Sequence, residues 1–167
     1  VTKIAAADLE KAKAYPNQFS NVMHNWAYAK SEKVAEKQKE NWVTFNNTII
    51  EKKGNLNSSG LIDWTVTIKA PHNDNGGFLK DYVLTDKILQ CDVRIVDDIT
   101  IKSNNNKTDT ITQEEFAEGY KLSNVDSNAH TYTVTYKTTA PASGGTVENQ
   151  AKITHDKIEF TAKASVN

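Results

Sequence analysis

Short stretches with an apolar residue at every second position dominate the sequence from residue 43 onward. In the clearest of them, Ile62, Trp64, Val66 and Ile68 are each followed by a polar residue. Neighbouring side chains of a strand point to opposite faces, so this period of two predicts a strand with one face in a core. Further stretches of this kind cover residues 82–88, 91–101, 130–140, 146–154 and 157–166. Short alternating strands separated by turn-forming segments are typical of an immunoglobulin-like β-sandwich, so the predicted fold class is mainly β.

One short helix is predicted inside this β-rich part. Thr112 and Glu115 have the spacing of a capping box, in which each side chain accepts a hydrogen bond from the other residue's backbone N–H. Gly119 is suited to the end of a helix, because glycine adopts the backbone conformation that closes one. These residues predict a helix within residues 112–119.

Residues 1–42 have a different composition. Segments 5–15 and 30–40 are rich in Ala, Lys and Glu, which favour helix, and Pro16 interrupts the region. One interpretation is a helix-rich N-terminal segment packed on a sandwich formed by residues 43–167. The other is the closing part of a preceding module with a helical insertion, because short motifs occur there in the same order as near the C-terminal end. The sequence leaves both interpretations open.

The overall composition argues against several classes of partner. The 20 basic and 21 acidic residues give a formal net charge of −1, so no surface for nucleic acid and no polybasic patch for a membrane is expected. No apolar run approaches the roughly 20 residues that span a bilayer, and no signal-peptide pattern opens the chain. The chain is therefore interpreted as a piece of a longer protein, without membrane insertion of its own. Cys91 is the single cysteine, which excludes an intramolecular disulfide.

Motifs of conventional enzymes and metal sites are not found in the sequence. The four histidines lack metal-ligand spacing, and they are His24, His72, His130 and His155. A phosphate-binding loop, a nucleophile elbow and a zinc-protease helix are also missing. The sequence therefore predicts no metal, no cofactor and no conventional enzyme activity.

Two polar side chains fall on the apolar phase of predicted strands. Asn149 is in phase with Val147 and Ala151, and Asp86 is in phase with Leu84. An amide or a carboxyl group in an apolar interior costs a few kcal/mol unless it has a hydrogen-bond partner. Both side chains are therefore expected to point inward and to require partners there.

The adjacent lysines Lys52 and Lys53 supply a third group for this interior. Burial disfavours charge, so it lowers the pKa of a lysine and raises the pKa of an aspartate. A neutral lysine amine is a nucleophile, and a protonated Asp86 can donate its proton to the Asn149 carbonyl. Attack of the amine on that carbonyl would expel ammonia and leave a Lys–Asn isopeptide bond.

These residues also lie in motifs that resemble a known family. The motifs are K-K-G at 52–54, I-D-W-T-V-T-I at 62–68, L-T-D-K-I at 84–88, Y-K-T at 136–138 and V-E-N-Q-A at 147–151. Their order is similar to that of CnaA-type domains in the surface adhesins and pilins of Gram-positive bacteria, and the resemblance covers residues 43–167. It implies an autocatalytic isopeptide bond between Lys52 and Asn149, with Asp86 as the catalytic acid.

Strand alternation and the family resemblance favour different lysines as the cross-linking residue. Val43, Phe45 and Ile49 are in phase with Lys53, so alternation alone favours Lys53 as the buried residue. The family has a K-x-G spacing, which Lys52 and Gly54 match. Lys52 is taken as the cross-linking lysine on that resemblance, with Lys53 as the alternative.

The resemblance implies a structural or stalk module of a bacterial cell-surface adhesin or pilin. Such a module is extracellular, belongs to a parent protein anchored in the cell wall, and has neighbouring modules of that parent as its partners. The alternative is a ligand-binding adhesin domain that recognises a host extracellular-matrix protein or a glycan. A eukaryotic immunoglobulin-like receptor domain is a more distant interpretation, because its usual cysteine pair is missing.

Overall fold

Eleven strands and two short helices occur in the part of the chain that the structure describes. The computed structural model describes residues 22–31, 34–44, 48–70 and 78–167, the first two of these ranges as backbone only. The chain divides into two compact units, residues 1–47 and 48–167. The predicted domain boundary after residue 42 stays a prediction.

The first unit contains a β-hairpin. Strands β1 (Val22–Ser31) and β2 (Val34–Thr44) pair antiparallel. The predicted helix over residues 30–40 is therefore wrong, and the predicted helical segment 5–15 lies outside the described residues. Helix propensity is a weak preference, and the backbone hydrogen bonds of a paired strand override it here. The partner strand β1 contains Trp26 and Tyr28, and aromatic residues favour strands.

The second unit is a sandwich of two antiparallel sheets, which confirms the predicted fold class. Its strands are β3 (Ile50–Leu56), β4 (Leu61–Lys69), β5 (Val83–Ile88), β6 (Ile99–Ser103), β7 (Thr108–Ile111), β8 (Tyr120–Lys121), β9 (Thr131–Thr139), β10 (Val147–His155) and β11 (Ile158–Val166). One sheet has the order β3-β4-β9-β6-β7 and the other has the order β11-β10-β5-β8. Strands β3 and β10 therefore belong to opposite sheets.

The core lies between the two sheets and follows the predicted alternation. Ile62, Trp64, Val66 and Ile68 of β4 are all buried, and the residues between them are half-buried. Strand β9 buries every second residue in the same way, and so does β10. Some inward positions carry polar side chains instead of apolar ones, and Lys52 and Asn149 are among them.

Two short helices connect successive strands: α1 (Gln113–Glu118) lies between β7 and β8, and α2 (Ser123–Asp126) lies between β8 and β9. The capping box predicted for α1 is present: the Glu115 N–H donates to Thr112 Oγ1 at 3.3 Å, and the Thr112 N–H donates to Glu115 Oε2 at 2.9 Å. The helix ends at Gly119, whose φ of 105° favours glycine. The helix buries Phe116, whose ring meets that of Tyr136 edge-on at 5.4 Å between centroids.

The phase of β3 differs from the one that alternation predicted. Strand β3 begins at Ile50, and from there Ile50 and Lys52 point inward while Lys53 is exposed. The prediction of Lys53 assumed that the alternation of buried and exposed residues continues without a break from Val43 into β3. Val43 belongs to a separate strand, β2, so its phase does not continue into β3.

Candidate functional site

Lys52 enters the core from an edge strand. It lies on β3 opposite Val66 of β4, and its side chain is 0% exposed. The Nζ atom donates hydrogen bonds to Asp86 Oδ2 and to the Tyr136 hydroxyl, both at 2.5 Å. It also lies 5.2 Å from the centroid of the Trp64 ring and 5.0 Å from that of Tyr136. The amine is thus enclosed by one carboxyl group and two aromatic rings.

Asp86 and Asn149 come from neighbouring strands of the opposite sheet. In the antiparallel pairing of β5 with β10, Asp86 lies opposite Ala151, and Asn149 lies opposite Ile88. The two side chains are therefore diagonal neighbours on one face. The Asp86 side chain is 1% exposed and Asn149 is 0% exposed. The structure brings Asp86 and Asn149 together with Lys52, and it leaves Lys53 outside.

Tyr136 is a fourth member of this cluster. Its hydroxyl accepts a hydrogen bond from Asn149 Nδ2 at 2.8 Å, in addition to the one from Lys52 Nζ. The sequence places Tyr136 in the Y-K-T motif and indicates no role for it. The signal that could have found it is its position on β9, in phase with Val134 and Tyr132 on the buried face.

Trp64 covers the lysine, and Gly54 makes room for the tryptophan. Gly54 lies opposite Trp64 in the pairing of β3 with β4. A Cβ atom at Gly54 would lie 2.4 Å from Trp64 Cζ3 and 2.6 Å from Val166 Cγ2, distances that real structures avoid. The indole N–H donates to Thr138 Oγ1 at 2.9 Å, which fixes the ring. The glycine of the K-x-G motif therefore lets the indole close over the amine and exclude water.

Burial changes the proton affinities of the lysine and the aspartate in opposite directions. Desolvation lowers the pKa of Lys52 from its ordinary 10.5, although the charge and hydrogen bond of Asp86 act against it. Desolvation raises the pKa of Asp86 from its ordinary 3.8, and the charge of Lys52 together with hydrogen bonds from its neighbours offsets part of this. Both shifts favour a neutral amine beside a protonated acid.

Two buried oxygens of the cluster have no hydrogen-bond partner. Among the described residues, these are Asp86 Oδ1 and Asn149 Oδ1. A buried acceptor without a donor costs about 1–3 kcal/mol. A proton on Asp86 would turn one unpaired acceptor into a donor and provide a partner for an amide oxygen nearby. The site is therefore better satisfied with Asp86 protonated.

The arrangement combines a nucleophile, an acid and an amide in a site without water access. A buried Lys–Asp pair can also be purely structural, but such pairs rarely stabilise a protein more than apolar residues of similar size. Perturbed titrating groups that converge on a third reactive group are instead typical of functional sites. The chemistry that these groups can perform is amine attack on an amide carbonyl.

Neither a metal site nor a membrane span is found among the described residues. In residues 48–70 and 78–167, no three His, Cys, Asp or Glu side chains come close enough together to coordinate a metal ion. Neither helix in that part of the chain has the length and apolar character to cross a membrane.

Comparisons with known proteins find similar solved structures. The collagen-binding domain from a Staphylococcus aureus adhesin aligns at 14% identity and a TM-score of 0.48, covering 71% of this chain and 97% of that one. The crystal structure of the S. aureus collagen adhesin CNA aligns at 12% identity and a TM-score of 0.48, covering 78% of this chain and 54% of that one. The serine-rich repeat protein Srr2 from Streptococcus agalactiae aligns at 12% identity and a TM-score of 0.38, covering 89% and 57%. No protein-family model matches the sequence, and no curated protein matches it.

Proposed function

We propose that this chain is a structural module of a bacterial cell-surface adhesin or pilin, stabilised by an autocatalytic isopeptide bond between Lys52 and Asn149. Asp86 is the catalytic acid of this single-turnover reaction. The observation that carries the proposal is the buried cluster itself: a lysine amine, a carboxyl group and an amide converge from three strands of two sheets.

The reaction exchanges one amide for another and needs no oxidant or cofactor. The Lys52 Nζ lone pair attacks Asn149 Cγ, and the protonated Asp86 stabilises the negative charge that develops on Asn149 Oδ1. The bond from Cγ to Nδ2 then breaks. Nδ2 leaves as ammonia with its own two hydrogens and one further proton, which balances the proton that Nζ gives up. The new amide keeps the remaining hydrogen on Nζ.

The proposed bond joins the two sheets. Lys52 lies on β3 at the edge of one sheet, and Asn149 lies on β10 inside the other. A covalent link between the sheets would resist their separation under tension, which apolar contacts alone resist weakly. This property suits a stalk that carries load between neighbouring modules at a cell surface. The alternative function, binding of a host matrix protein or a glycan, stays a prediction.

Intact-protein mass spectrometry tests the bond directly. We expect the purified chain to be lighter than its sequence mass by one ammonia, because the reaction releases Nδ2 of Asn149. The Asn149→Ala variant cannot react and should show its full mass. Fragmentation should also yield residues around Lys52 and Asn149 joined as one branched peptide. A wild-type chain at its full sequence mass would refute the proposed bond.

The rate of ammonia loss is expected to follow a bell-shaped pH profile. The reactive state has a neutral Lys52 and a protonated Asp86, so the pair carries one proton in total. At low pH a second proton makes the amine a cation, and at high pH Asp86 loses its proton. The low-pH limb should fall below 10.5, because burial lowers the pKa of Lys52, and the high-pH limb should fall above 3.8, because burial raises the pKa of Asp86. They belong to the coupled pair and not to either residue alone.

The profile is measured on chains collected in denaturant directly after synthesis and refolded by dilution at each pH. Intact mass at timed intervals gives the rate. A rate that keeps increasing beyond pH 10.5 would show a lysine with an ordinary pKa, contrary to the expectation.

A further inference from the structure

The hydroxyl of Tyr136 lies between the two nitrogens that the proposed reaction exchanges. It is 2.5 Å from Lys52 Nζ, the attacking nitrogen, and 2.8 Å from Asn149 Nδ2, the leaving nitrogen. The two nitrogens are thus connected through one oxygen atom. A single hydroxyl in hydrogen-bond contact with both a nucleophile and a leaving group has the geometry of a proton relay.

We propose that Tyr136 is a catalytic residue of this site, whose hydroxyl carries a proton from Lys52 Nζ to Asn149 Nδ2 during cross-linking. The inference rests on the proposed isopeptide bond, and it assigns to Tyr136 the proton transfer between the two nitrogens of that reaction. Asp86 then stabilises the charge on the Asn149 carbonyl oxygen, and Tyr136 moves the proton between the nitrogens.

The transfer balances without a further reactant. After attack, Nζ carries a positive charge and one proton too many, and Nδ2 has become a tetrahedral amine with a basic lone pair. Tyr136 Oη accepts a proton from Nζ as its own O–H proton moves to Nδ2. The bond from Cγ to Nδ2 breaks with its electron pair on nitrogen, and ammonia leaves. Tyr136 ends with one proton, as it began.

The surroundings of Tyr136 favour a concerted transfer. Burial strongly raises the pKa of Tyr136. A phenolate is therefore not a stable intermediate, so the hydroxyl must give a proton as it takes one. The Phe116 ring packs edge-on against the phenol ring, and the hydroxyl holds Lys52 Nζ by a hydrogen bond. The oxygen is thus positioned before the reaction starts, which lowers the entropic part of the barrier.

The first test compares two tyrosine-to-phenylalanine variants of the full chain. Tyr136→Phe removes the relay oxygen and keeps the ring. Tyr132→Phe is the matched control, because Tyr132 is also fully buried on β9 and its hydroxyl donates to the Asp126 backbone carbonyl, away from the site. Each chain is refolded from denaturant, and ammonia loss is followed by intact mass.

We expect Tyr136→Phe to lose ammonia at least ~10²-fold more slowly than the wild type, the usual effect of removing a positioned proton-transfer group. Tyr132→Phe should react at the wild-type rate. Thermal unfolding checks that Tyr136→Phe is folded, with a midpoint near that of another non-cross-linked variant, Asn149→Ala. A folded Tyr136→Phe that reacts as fast as the wild type would overturn the relay and leave the proposed bond intact. A wild-type chain that never loses ammonia would overturn both.

A second measurement uses only the wild-type chain and does not depend on how the variant folds. The rate of ammonia loss is measured in mixtures of H₂O and D₂O. Two protons move together in the relay, so the rate should depend on the deuterium fraction along a curve. A straight line would indicate one proton in flight and would contradict the relay.

Discussion

Replacing Asn149 with alanine is expected to lower the free energy of unfolding by roughly 4–5 kcal/mol. The proposed bond joins residues 52 and 149 and so closes a loop of about 100 residues, which restricts the unfolded chain. The variant keeps the Lys52–Asp86 pair intact, and it loses the amide that reacts. Denaturant titration of the wild type and the variant, with intact mass recorded for both, measures the difference.

Asp86→Ala should destabilise the chain further than Asn149→Ala. It also prevents the reaction, and in addition it removes the only carboxylate that hydrogen-bonds Lys52 Nζ among the described residues. A buried amine without its partner is costly. Gln150→Ala serves as the control for both variants, because Gln150 lies beside Asn149 on β10 but outside the cluster. It should keep both the ammonia loss and the wild-type midpoint. If Asn149→Ala unfolded at the wild-type midpoint while the wild type carried the bond, the bond would add nothing to stability.

Pulling the wild-type chain by its two ends is expected to release much less length than pulling Asp86→Ala. Under tension the force would pass from Lys52 to Asn149 through the bond. Residues 53–148 would then stay outside the stretched path. At 3.3–3.6 Å per extended residue, the missing contour length is about 320–350 Å.

Single-molecule force spectroscopy of the wild type and Asp86→Ala measures this difference. The first compact unit, residues 1–47, contributes equally to both chains and cancels in the comparison. Gln150→Ala should behave as the wild type does. Equal released lengths in wild type and Asp86→Ala would mean that no bond bridges these strands.

The sequence located Asp86 and Asn149 through strand phase alone. Both residues lie within continuous alternating strands, so counting by twos from Leu84 or Val147 places them on the buried face. The same counting failed at Lys52, because the count began at Val43 in a different strand. Phase is a local property, and it is lost wherever the chain leaves the sheet.

Tyr136 and the N-terminal hairpin show what a single sequence leaves out. Phase places Tyr136 in the core, but its contacts with Lys52 and Asn149 depend on how two sheets face each other. The strand at residues 34–44 depends on pairing with β1, whereas its Ala, Lys and Glu content favours helix. The Tyr136 contacts arise between segments that are distant in the sequence, and the strand at residues 34–44 arises from its partner strand. The composition of a single segment encodes neither.

The contact of Gly54 with Val166 has a consequence for timing. Gly54 lies early in the sandwich, and the side chain that covers it belongs to β11, its final strand. Synthesis from the N-terminus makes β3 before β10 and β11, so Lys52 exists before Asn149 and Val166 do. Without β11, Val166 would not cover Gly54 and water could reach the amine. We therefore expect the proposed bond to form only after β10 and β11 have joined the sandwich.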